Sequence, residues 1–220
     1  MKRMLAAVCL LACACGGSKG TSQTTTTPTT PTPSVNRVPV VNSVTVNPGS
    51  GIQDRTLFNF AVSASDPDND SLSYAWTIAG DSFTGQNVAL TFSGGGAGTA
   101  SVTVSDGKGG TASGSQTFIV GTLTGNWTGV GPSGIGNFTM TLAQVSGQIT
   151  GTYRDGLGAA TVGPTGEPGT IDINGTISLR TKQAPYTDWT FRGTLDATGR
   201  RITGGVFGSG FTGQNFTMSK

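Results

Sequence analysis

The sequence predicts an all-β protein built from two β units in series behind a signal and a linker. Three observations carry this. Glycine is very frequent, at 36 of 220 residues, and threonine is abundant. No segment repeats its apolar residues at helical spacing. Short runs of period-two alternation recur instead, separated by Gly, Pro, Asn and Asp clusters, which is the pattern of strands joined by turns.

The chain opens with MKRMLAAVCLLACAC. Lys2 and Arg3 form a basic start. The apolar run from Met4 to Ala12 is far shorter than the ~20 residues a membrane-spanning helix needs, so it reads as a secretion signal. LLAC at residues 10–13 resembles the lipobox of bacterial lipoproteins. The resemblance implies that residues 1–12 are removed and that Cys13 carries the lipid, with Cys15 as the alternative. An ordinary secretory peptide is the rival reading. Ala14 or Gly16 after the cysteine, rather than Asp, resembles outer-membrane sorting. The expected location is therefore the cell envelope, at the outer membrane, facing the periplasm or the cell surface. Residues 13–37 form a Thr/Pro-rich linker. TSQTTTTPTTPTPS has no apolar side chain to bury, and Pro28, Pro31 and Pro33 favour an extended path. At ~3.1 Å per residue, some 20 such residues reach ~60 Å at most.

Residues 38–120 are expected to form a β-sandwich. The strand-like runs are 40–46, 57–64, 72–78, 88–92, 99–104 and 111–120. Between them stand Pro48-Gly49-Ser50-Gly51, Asp66-Pro67-Asp68-Asn69-Asp70, Gly94-Gly95-Gly96 and Asp106-Gly107-Lys108-Gly109-Gly110. Trp76 falls mid-strand, where a sandwich places its largest core residue. Asn36-Arg37-Val38-Pro39, SDPDNDSLSYAW at 65–76 and VTVSDGKGGTAS at 102–113 resemble the PKD and cadherin-like branch of immunoglobulin-like modules. The resemblance implies an immunoglobulin-like sandwich and says little of function. Its topology implies that Asp66, Asp68, Asp70 and Asp106 gather at the end where the linker enters, with Asn36 beside them. Calcium is a candidate occupant, because hard cations take several converging oxygens and similar motifs bind calcium in cadherin-like repeats. Simple turn chemistry is the competing explanation.

Residues 121–220 are expected to close into a small antiparallel barrel. A pattern of large apolar, x, Gly, x, large apolar recurs at Leu123/Gly125/Trp127, Ile149/Gly151/Tyr153, Ile173/Gly175/Ile177, Phe191/Gly193/Leu195 and Ile202/Gly204/Val206. Alternation puts all three residues of each set on one face, and an inward glycine lets a sheet coil sharply. Phe138/Met140/Leu142 and residues 211–218 complete the set. In the last strand the apolar phase slips, which asks for a bulge near Gln214-Asn215. Asn-Phe-Thr-Met occurs twice, at 137 and 215. LTGNW at 123 and ITGTY at 149 resemble the first and second strands of avidin-like barrels, related in architecture to lipocalins. The polar ligand-contacting loop of that family has no counterpart in residues 128–137, so the resemblance implies the barrel and no biotin site. Trp127, Tyr153 and Trp189 are the candidate ligand-binding residues, flooring a cavity with Phe191 or else filling the core. Tyr186 and Trp189 lie near Ala184-Pro185 and are candidates for sugar stacking.

Composition narrows the function. With no histidine, Ser-His-Asp and Cys-His nucleophiles and His-ligated metals are ruled out. All three cysteines lie in or beside the signal, so the body has neither disulfide nor thiol. Without Lys2 and Arg3, eleven cations face eleven anions, which gives no basic stripe for nucleic acid. Asp155 with Glu167, the single glutamate, is an imaginable acid–base pair, but the loop at 155–170 reads as a surface loop. Asn126, Asn137, Asn174 and Asn215 begin Asn-x-Thr sequons, expected by chance in so Asn/Thr-rich a chain. The sequence therefore predicts no enzyme. It predicts a lipid-anchored envelope protein serving as a binding, adhesion or display module toward a protein or carbohydrate partner. The alternative is a lipocalin- or avidin-like carrier of a small ligand.

Overall fold

The computed structural model describes residues 34–163, 166–182 and 188–220. The signal, Cys13, Cys15, most of the linker and Tyr186 lie outside the described residues. Residues 36–220 form one unit, distinct from residues 1–35. Every regular element described is a strand.

The first eight strands build a sandwich. They are β1 (Val40–Asn47), β2 (Ser50–Ile52), β3 (Phe58–Ser65), β4 (Ser73–Ile78), β5 (Asp81–Thr84), β6 (Asn87–Leu90), β7 (Gly96–Ser105) and β8 (Thr111–Gly121). One sheet runs β1-β3-β6, the other β2-β8-β7-β4-β5. All pairs are antiparallel except β2 with β8. Alternation fills the space between the sheets with Phe58, Phe60, Val62, Trp76, Val102, Val104 and Phe118, all buried. Trp76 is 2% exposed, meets Phe60 edge-on, and donates its indole N–H to the Gly85 carbonyl at 2.9 Å. The sequence reading places the core strands but misses two. β2 lies within the stretch read as a Pro/Gly break, and β5 lacks an apolar run of its own.

The remaining strands close into a barrel. They are β9 (Gly125–Val130), β10 (Asn137–Val145), β11 (Gln148–Asp155), β12 (Gly158–Val162), β13 (Gly169–Ile171), β14 (Thr176–Lys182), β15 (Trp189–Leu195), β16 (Arg201–Gly208) and β17 (Phe211–Ser219). Each pairs antiparallel with its neighbours, and β17 returns to β9. β12 and β13 share one place between β11 and β14, so the ring has eight positions. The expected surface loop at 155–170 is thus partly wall: β12 runs through it and β13 begins in it, and Ala160 and Val162 point inward and are buried. ITGTY stands on the third strand of the barrel rather than the second, with β10 between it and LTGNW. Ile173 is exposed and Gly175 lies in a turn at φ 77°, so that set is not a strand face.

The inward glycines act as expected. Gly193 and Gly204 face each other across β15 and β16. A Cβ at Gly204 would lie 2.0 Å from the Arg192 carbonyl oxygen. A Cβ at Gly151 would lie 2.0 Å from that of Thr141. Only a bare backbone allows the sheet to coil this tightly. The bulge in β17 falls at Gly213, where Val206 pairs Gln214 and Phe207 pairs Thr212. The two Asn-Phe-Thr-Met segments flank β9 on either side, from β10 and β17.

Sandwich and barrel are knit end to end. Ile52 leaves β2 to join the barrel's apolar core. Gln53 and Gln144 exchange bonds: the Gln53 amide donates to the Gln144 carbonyl (3.3 Å) and the Gln144 amide to the Gln53 carbonyl (3.0 Å). Gln144 Oε1 also accepts from the Leu123 N–H. Arg55 donates to the Ile171 carbonyl. This junction lies at the end of the sandwich opposite residues 36–39, where Asn36 and Arg37 meet the Asp106 and Asp66–Asp70 loops.

Candidate functional site

Three places merit a functional reading, beginning with the acidic end of the sandwich. The β3–β4 loop folds on Asp66, whose Oδ1 accepts from the N–H groups of Asp68 and Asp70. Carboxylate oxygens of Asp66, Asp68 and Asp70 converge within 4.8 Å of one another. Two cations already sit on them. Arg37 grips Asp68 through backbone and guanidinium (2.7 and 2.9 Å), and these hydrogen bonds hold the Asp68 carboxyl below its ordinary range. Lys108 pairs with Asp70. Oδ2 of Asp66 and of Asp70 is buried without a partner, so the cluster retains donor atoms for a hard cation. Asp106 does not join it. Asn36 occupies its Oδ2 at 2.8 Å, and Lys108 and Gly110 N–H groups occupy its Oδ1. Those bonds, Asn36 first, lower its pKa, and they make Asp106 the clasp of the β7–β8 turn rather than a ligand.

The second place is the barrel interior. Trp127 and Tyr153 are fully buried and Trp189 is 6% exposed. Trp127 donates its indole N–H to the Leu123 carbonyl (2.8 Å). Tyr153 packs on Phe138, Phe191 and the edge of Trp189, with ring centroids 5.6–5.9 Å apart. Its hydroxyl donates to Asp155, and burial first, then this bond, push the phenol well above its usual pKa. Trp127 and Tyr153 fill the barrel and bond to it, whereas the Trp189 indole N–H is buried without a partner. Of the two readings offered for Trp127, Tyr153 and Trp189, flooring a cavity or filling the core, their burial among the barrel's apolar residues supports the core. A barrel of eight positions is narrow, and aromatic rings take up its bore.

The imagined acid–base pair dissolves for a similar reason. Asp155 accepts from Tyr153 and from the N–H groups of Leu157 and Gly158. Glu167 pairs with Arg180, which also holds Asp188 at 2.6 Å. Each carboxylate is committed to its own partner.

The third place is one the sequence reading missed. An open groove of about 600 Å³ runs along β9, bounded by β10 and β11 on one side and β17 on the other. Val130 forms its exposed apolar part, over the buried Phe138 and Met218. Thr128, Asn137, Thr139 and Arg154 supply hydroxyl, amide and guanidinium groups. Val130 is 59% exposed. No carboxylate pairs with Arg154 among the described residues. The available signal was phase: Val130 is apolar on the outward register of β9, where Asn126 and Thr128 are polar.

Comparison with known proteins adds a likeness for the sandwich. Residues 36–120 match the sequence model of the PKD domain family. That segment, which is the sandwich, is similar to the PKD domain family. Its solved likenesses include the PKD1 domain of Vibrio anguillarum Epp, at 26% identity over 39% of this chain and 96% of that one, with a TM-score of 0.33. A second structure, described as a carbohydrate-binding module from the β-sandwich superfamily with promiscuous specificity, aligns at 14% identity over 84% of this chain and 86% of that one, with a TM-score of 0.38. No curated protein matches the chain. The matched range stops at residue 120, so the acidic end lies inside it and the β9 groove beyond it.

Proposed function

We propose that this is a non-enzymatic, lipid-anchored protein of the cell envelope. In this reading the PKD-like sandwich is a spacer and the barrel is the contact unit, with a carbohydrate surface as its partner. The lipid sits on Cys13, with Cys15 as the alternative, in the outer membrane. The observation that carries the reading is the β9 groove, where hydroxyl and amide side chains flank an apolar strip. A pyranose ring has the matching character, with apolar C–H faces and polar edges. Support also comes from polarity along the chain: the linker joins the sandwich at its acidic end, and the barrel stands at the other.

The test uses the full-length protein in detergent on an array of envelope and capsule polysaccharides. At least one glycan is expected to bind, and Val130→Asp is expected to weaken it about tenfold. In cells, a tagged fatty acid is expected to label the wild type and not Cys13→Ser. An empty array, or binding indifferent to Val130→Asp, sinks the groove. Labelling that survives Cys13→Ser and is lost in Cys15→Ser moves the anchor to the second cysteine.

A further inference from the structure

Where the sandwich meets the barrel a second cavity opens, of about 590 Å³. Its walls are Ala97, Ile119 and Val120 from the sandwich and Gly199 from the β15–β16 turn of the barrel. The approach is close: a Cβ at Gly199 would lie 2.6 Å from the Cα of Gly121. Two cations, Arg200 and Lys220, stand in the same lining, which has no acidic residue. Lys220 Nζ donates to the carbonyls of Thr122 (2.7 Å) and Thr124 (3.0 Å) and lies 4.9 Å from the centre of the Trp127 ring. No carboxylate pairs with Arg200 or Lys220 among the described residues.

Two like charges beside apolar walls repel each other, and partial burial adds to the cost. Burial, then Arg200, lowers the Lys220 pKa. An anion seated between them removes both penalties. Clefts between packed units are also favoured places for small ligands. We infer that the cleft between sandwich and barrel binds a small organic monoanion, its charge on Arg200 and Lys220 and its apolar body on Ala97 and Ile119. This site is separate from the β9 groove and does not rest on it.

The experiment is calorimetric titration of the full chain with hexanoate, with hexanamide as the neutral control of equal shape. Hexanoate is expected to bind, and hexanamide to bind about tenfold more weakly or not at all. Arg200→Gln with Lys220→Gln is expected to weaken hexanoate about tenfold. Ala97→Glu, which places a carboxylate among the two cations, is expected to abolish binding while the melting midpoint holds or rises. That second variant guards against loss of fold in the first. Val130→Asp, in the groove, is expected to leave hexanoate binding unchanged. The inference falls if hexanoate does not bind, if hexanamide matches it, or if Ala97→Glu binds as the wild type does.

Discussion

Sandwich and barrel use the same glycine-rich composition to opposite ends. In the sandwich, five aromatic rings (Phe58, Phe60, Trp76, Phe92 and Phe118) make one connected cluster, and the inward glycines of its central strands, Gly98 and Gly114, face the side chains of Phe118 and Val44. Other glycines there mark turns, such as Gly94, Gly107 and Gly109. In the barrel, Gly151, Gly193 and Gly204 sit mid-strand with neighbouring backbone where a Cβ would be. A flat pair of sheets needs side chains to hold them about 10 Å apart, whereas a tightly coiled sheet needs some of them gone. Glycine content alone therefore says little; its phase against the apolar residues decides whether it bends a strand or ends one.

The comparison breaks most sharply at single glycines. Gly204→Val forces β15 and β16 apart, since the new Cβ would also lie 2.5 Å from the Gly193 Cα. We expect a loss of ~3 kcal/mol or more, at the upper end of overpacking costs, read from the urea midpoint. Gly94→Ala, with nothing within 4 Å and no positive φ, is expected to change stability by less than ~0.5 kcal/mol. Equal effects would mean that barrel glycines are as dispensable as those of the turns.

A smaller effect is expected at the junction. β10 places Phe138, Met140, Leu142 and Gln144 inward in strict alternation. The last of these meets the sandwich rather than the barrel's interior. Gln144→Ala leaves the Leu123 N–H and the Gln53 carbonyl without the bonds they now have, at a cost of ~2 kcal/mol. Urea unfolding is expected to remain a single transition in the wild type and to broaden or split in this variant. An unchanged single transition would show that Ile52 and the Gly121/Gly199 contact suffice to couple the two units.

Much of this was legible in the residues. Alternation located the strands around Phe58–Val62, Trp76 and Phe138–Leu142, because each buries one clean face. The gathering of the acidic loops beside Asn36 followed from sandwich topology. What stayed hidden has physical reasons. β2 and β5 are short edge strands whose pairing comes from tertiary context, which overrides weak local signals. β12 was masked by the glycines at and around its ends, Gly156, Gly158 and Gly163, and by the Pro-containing stretch after it. Whether Trp127 and Tyr153 floor a cavity or fill a core depends on the barrel's bore, and the same side chains serve both. The cleft at Arg200 and Lys220 joins residues about a hundred positions from Ala97 and Ile119, a distance no local pattern spans.

The smallest effect belongs to the acidic end of the sandwich, and it is a pH effect. Asn36 and the N–H groups of Lys108 and Gly110 hold the Asp106 carboxyl below its ordinary pKa, and Arg37 does the same for Asp68. A carboxyl whose pKa is depressed by folding adds stability that is whole above its unfolded pKa, near 3.9 for Asp, and that fades as pH falls through the folded value. The melting midpoint of the wild type is thus expected to hold from neutrality down to about pH 5 and to decline below it. Asp106→Asn should start lower at pH 7, because an amide cannot accept all three bonds as a carboxylate does, and should fall less steeply below pH 4. Calcium followed by a chelator at pH 7 is expected to leave both midpoints in place, since Arg37 and Lys108 already meet two of the three converging carboxylates. A chelator-sensitive midpoint in the wild type would assign the buried Oδ2 atoms of Asp66 and Asp70 to a metal ion. Parallel acid limbs for wild type and Asp106→Asn would mean that the barrel, and not this end of the sandwich, sets the molecule's response to acid.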